Sequence, residues 1–81
     1  MNADEIRYYV ARAYIVPARK QKRRFVVVRA GDVHAKLNLK DRMPAVCGAL
    51  DAWIFQLLYG VTLIKRTGPK QGANVEFTFQ V

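Results

Sequence analysis

The chain has 81 residues, 52% of them hydrophobic, and a formal net charge of +8. That length bounds it to one domain, residues 1–81, and that apolar content argues against disorder. Cys47 is the only cysteine, so no internal disulfide forms, and the cytoplasm (or, in a prokaryote, the nucleoid) is the expected compartment.

The longest nearly apolar stretch, Ala52 to Ile64, is too short to span a bilayer, and the N-terminus carries no signal-peptide pattern. No membrane association is expected.

Ile6, Tyr9, Val10, Ala13 and Tyr14 fall at i, i+3, i+4, i+7 and i+8, one stripe of an amphipathic helix. Asp4 and Glu5 suit the positive end of its dipole. Pro17 disfavours helical geometry at Val16, so the helix is expected to stop near Ile15. The aromatic and β-branched content of Tyr8 to Val16 also permits a strand.

Residues 18–24 carry five positive charges and no acid: Arg19, Lys20, Lys22, Arg23 and Arg24. This segment is expected as a basic loop, a type of block that attracts polyanions by its summed field. Phe25-Val26-Val27-Val28 follows as a short strand, buried on both faces or paired into a small sheet.

The next segment reads as two helices in a tight turn. The first is Gly31 to Leu37, with Val33 and Leu37 facing inward and Leu39 covering the core from the turn. Asp41 is the expected N-cap of the second, with Pro44 tolerated in its first turn. One helix is expected from Arg42 to about Tyr59, ended by Gly60 in the left-handed region. At about 100° per residue, Met43, Val46, Trp53, Ile54 and Leu57 lie within about 60° of Leu50 and form the buried stripe. Pro44, Ala45, Gly48, Ala52, Phe55 and Gln56 fall on the opposite, outer face.

Val61 to Arg66 and Asn74 to Val81 read as a hairpin. Val75, Phe77, Phe79 and Val81 alternate with Asn74, Glu76, Thr78 and Gln80. Thr67 to Ala73, with two glycines and a proline, form its tip.

The expected order is therefore helix, strand, helix, helix, strand, strand, an α+β chain in which Phe25–Arg29 joins the hairpin in a small antiparallel sheet. This order, with the helix pair of Gly31–Leu50, resembles the winged helix-turn-helix family of DNA-binding domains over essentially the whole chain. The resemblance implies that the helix from Arg42 is the recognition helix and that Lys65 to Gln71 form the wing. It also implies a possible homodimer, with Phe55 or the first helix at the interface.

The outer face of that helix departs from the family pattern. It is small and nearly uncharged, so few side chains match base edges. The expected function is a transcriptional regulator or architectural binder of duplex DNA that grips mainly phosphates. The expected contacts are Arg19, Lys20, Lys22, Arg23 and Arg24; His34, Lys36, Lys40 and Arg42 at the turn; and Lys65, Arg66, Lys70 and Gln71 on the wing. Two alternatives stand beside it. One is a protein-interaction module within a larger complex, docking through Ala45, Gly48, Ala52 and Phe55. The other is an RNA binder.

No enzyme chemistry is expected. Cys47 reads as a packed thiol rather than a nucleophile. One Cys and one His cannot build a structural zinc site within a single chain. Gly68-Pro69-Lys70-Gln71-Gly72 lacks the Walker spacing. Trp53, Phe77 and Phe79 read as core rather than base-stacking platforms. No cofactor or metal is expected.

Overall fold

The computed structural model describes residues 1–81. Helix α1 spans Ala3–Val10. Asn2 and Glu5 cap it reciprocally: the Glu5 amide donates to Asn2 Oδ1 at 2.8 Å and the Asn2 amide to Glu5 Oε1 at 3.0 Å. Two otherwise orphaned N–H groups are thereby satisfied.

The helix does not stop at Ile15. It widens into a π-helical turn over Ala11–Ile15 and continues as α2, Val16–Lys20. Pro17 has no N–H, and its ring crowds the carbonyl one turn back in a regular helix. The wider turn, in which the Val16 N–H reaches back to Ala11 O, accommodates both. Arg19 and Lys20 are thus helical, and only Gln21–Arg24 form the basic turn.

Strand β1, Phe25–Arg29, leads directly into α3, Ala30–Lys36. Strands β2, Thr62–Thr67, and β3, Glu76–Gln80, form the hairpin. The sheet is antiparallel in the order β1-β3-β2. Strand β1 is therefore an edge, not a strand buried on both faces. Val28 is fully buried, whereas Phe25 and Val27 are exposed. In β3, Val75, Phe77 and Phe79 are buried as their alternation predicts, and Val81 is half-buried.

The second helix of the pair departs most from expectation. Helix α4 runs Met43–Asp51, the backbone extends at Ala52 (φ −69°, ψ 136°), and α5 restarts at Trp53–Tyr59. Val46 and Leu50 are buried as expected. The break resets the helical phase, so Phe55 turns inward and is fully buried, 5.1 Å from the ring of Phe79. Phe55 is therefore a core residue and no part of an exposed interface. Trp53, Ile54 and Leu57, expected in the buried stripe, are exposed instead. Gly60 ends α5 with φ 64°, as expected.

The core lies between α1, α3, α4 and the inner face of the sheet, with no polar or charged residue fully buried. Leu39 and Leu37 pack against it from the turn.

Candidate nucleic-acid interface

Four of the fourteen cationic side chains are engaged with the fold. Arg7 donates to Ala49 O at 2.9 Å and pairs with Asp4, tying α1 to the end of α4. Arg19 donates to Tyr59 O at 2.8 Å and Gly60 O at 3.1 Å, satisfying carbonyls at the C-terminus of α5. Arg29 pairs with Asp32 at 2.9 Å and donates to Asn74 Oδ1 at 2.8 Å, fastening the foot of the hairpin loop to α3.

Arg66 is the fourth. Strand β2 carries a bulge between Leu63 and Lys65, where Ile64 has no counterpart in β3. The extra residue shifts the alternation by one, turning Lys65 outward and Arg66 inward. Arg66 Nε lies 2.9 Å from Asp51 Oδ1, its guanidinium sits 5.2 Å from the centre of the Phe77 ring, and it also donates to the carbonyls of Pro69 and Lys70. Arg19 and Arg66, both expected as polyanion contacts, are thus committed to internal carbonyls and a carboxylate.

The other ten cations are exposed and none pairs with a carboxylate: Arg12, Lys20, Lys22, Arg23, Arg24, Lys36, Lys40, Arg42, Lys65 and Lys70. Three acids are held in ion pairs and Glu5 in its capping box, which leaves Asp41 and Glu76 as the free anions. Among the charges held in no ion pair or cap, cations therefore outnumber acids ten to two, although all six acids are exposed. Arg12 joins this set on α1's continuation; no block of like charge surrounds it in the chain, so sequence alone does not single it out.

Local backbone geometry presents these side chains. The Arg23 amide donates to Ala18 O and the Lys22 amide to Arg19 O, with Lys22 left-handed at φ 56°. This is the helix-ending turn usually built on glycine. A lysine there projects charge from a position where its own backbone is strained. At the helix pair, α3 ends the same way at Asn38, φ 54°, and Asp41 is left-handed at φ 53°. Asp41 is not the N-cap of α4. That position belongs to Arg42, whose side chain makes no capping bond. His34 Nε2 accepts from the Arg42 amide at 3.1 Å, which requires that nitrogen to be unprotonated. His34, expected as a polyanion contact, instead fixes the turn that carries Lys40 and Arg42.

The register sets the layout. Phe25 and Thr62 both pair with Gln80, so the basic turn lies at the end of the sheet where β1 and β2 begin. Arg29 and Thr67 pair with Glu76, so the hairpin tip with Lys70 and Gln71 lies at the other end. Strand rise puts roughly 13 Å of sheet between the two, with Lys65 on the outer face along the way.

No protein-family model, curated protein or solved structure matches the chain. The outer face of α4 offers Pro44, Gly48 and Asp51 to solvent, with Ala45 and Ala52 half-buried. It holds no donor suited to base edges, and a side chain at Gly48 would meet nothing within 4 Å. Cys47 is a free thiol packed in the core. No helix is long and apolar enough to cross a membrane.

Proposed function

We propose that this chain is a small winged-helix nucleic-acid-binding protein that grips duplex DNA through its phosphates, as a regulator or architectural binder rather than an enzyme. The observation that carries the reading is the set of ten exposed, unpaired cations against two free acids. The element order and the sheet order β1-β3-β2, with a hairpin wing after the helix pair, support the winged-helix part.

Cations at both ends of the sheet, roughly 13 Å apart by strand rise, and at the helix pair offer several separate contacts to phosphates. The outer face of α4, small and without a cation, gives the mode its character, because phosphate contacts position a protein without reading sequence. Exposed cations on an A-form duplex would grip RNA similarly, and a gel shift with random duplex DNA, single-stranded DNA and duplex RNA separates the substrates. Preferred retention of duplex DNA supports the reading; no retention of any of the three at low salt rules it out.

A further inference from the structure

The exposed face of α5 lies outside the cationic set and has a different chemistry. Trp53 is 70% exposed, Leu57 66%, Leu58 57% and Ile54 39%. Trp53 and Leu57 are spaced i, i+4, as are Ile54 and Leu58, so they form two adjacent ridges of the kind that interdigitate between packed helices. No charged residue occurs from Ala52 to Ile64. Beside the first ridge is a hollow of about 340 Å³ lined by Trp53, Gln56, Leu57, Gly60, Val61 and Thr62.

We infer that this face of α5 is a homodimer interface, in which two copies pack α5 against α5 about a two-fold axis and each Trp53 enters the other's hollow. Three observations select a second copy as the occupant. First, the face carries both a protruding indole and the shallow recess that the indole borders, so a two-fold contact can use each of them twice. Second, two chains of +8 repel each other, which favours contact through a surface poor in cations; no charged residue lies between Ala52 and Ile64, and the one cation shown beside the end of α5, Arg19, is held on the carbonyls of Tyr59 and Gly60. Third, the four side chains expose on the order of 400 Å² per copy. With the rim of Gln56, Gly60 and Thr62 the pair buries about 1,000 Å², the lower bound for a specific interface and the range of a weak, reversible dimer.

The inference stands apart from nucleic-acid binding and is tested without nucleic acid. Trp53 is the only tryptophan, so it reports directly on the interface. Sedimentation of the full chain from micromolar to millimolar concentration is expected to move from 9.3 kDa to twice that mass. Tryptophan emission should shift to the blue with the same midpoint. Added salt, which screens the repulsion between copies, should strengthen the dimer, the opposite of its effect on polyanion binding. Trp53→Glu and Leu57→Glu should each weaken dimerisation at least about thirtyfold, the effect of losing a central apolar anchor. Both sites are exposed, so the circular dichroism of the monomer should be unchanged. Leu57→Glu keeps the indole as a probe, and its emission should stay red at every concentration. A wild-type chain that remains monomeric throughout, or a dimer that survives both substitutions, overturns the inference.

Discussion

The bulge at Ile64 turns Lys65 to solvent and sets Arg66 onto Asp51 and the ring of Phe77. The two neighbours should therefore respond differently to truncation. Arg66→Ala removes a partly shielded ion pair and a cation–π contact and is expected to lower stability by about 1–2 kcal/mol. Lys65→Ala is expected to leave stability within about 0.5 kcal/mol of wild type. On duplex DNA the order reverses: Lys65→Ala should reduce the salt slope of binding by about one, and Arg66→Ala should leave it unchanged. Chemical denaturation and fluorescence anisotropy read the two effects separately. Lys22 gives a sharper test, because its left-handed backbone favours glycine. Lys22→Gly is expected to raise stability by about 1 kcal/mol while weakening polyanion binding. A Lys22→Gly chain that loses stability would show that the Lys22 side chain supports the fold.

Among the elements, the hairpin loop is held against α3 with little clearance. The Ala30 amide donates to Val75 O and the Gly31 amide to Ala73 O, each at 2.9 Å. A Cβ on Gly31 would lie 2.7 Å from Ala73 O, so Gly31→Ala must push the loop away. A loss of about 1–3 kcal/mol is expected in thermal or denaturant unfolding, as for other overpacked sites.

The first helix makes a pH prediction. Tyr9 and Tyr14 meet edge to face with ring centres 6.4 Å apart. Burial raises the pKa of both hydroxyls above 10.0, and the charges of Tyr9 and Asp32 raise that of Tyr14 further. In the unfolded chain both ionise near their ordinary value. Their contribution to stability is therefore complete below about pH 10 and is lost as pH rises through the folded-state values. Melting temperature should be flat approaching pH 10 and fall above it, with a shallower fall in Tyr14→Phe.

The elements themselves were largely legible in the chain. Period-two alternation placed Val75, Phe77 and Phe79, and Gly60 marked the end of α5. What was not legible were departures from regular periodicity. The π-turn before Pro17, the extended Ala52 and the bulge at Ile64 each shift the phase of every later residue in their element. Those shifts moved Phe55 into the core, Trp53 and Leu57 out of it, and Arg66 off the surface. A wheel or an alternation counted across them assigns the wrong face, and nothing in the local composition near Ala52 or Ile64 marks the interruption. The basic cluster was visible as a run of charge. Its division into engaged and free cations depends on tertiary partners such as the carbonyls of Tyr59 and Gly60.

At the scale of the whole molecule, two surfaces are expected to respond oppositely to salt. The proposed grip on phosphates rests on the ten free cations, whereas α5 presents an uncharged apolar face. The most direct test of the central claim is the equilibrium affinity for a short random DNA duplex, measured by fluorescence anisotropy from low to moderate salt. With about six of the ten free cations on phosphates, the logarithm of the binding constant should fall against the logarithm of salt with a slope of about −5, a loss of roughly 10³-fold from 50 to 200 mM. A slope near zero, or no measurable binding at the lowest salt, would contradict the account.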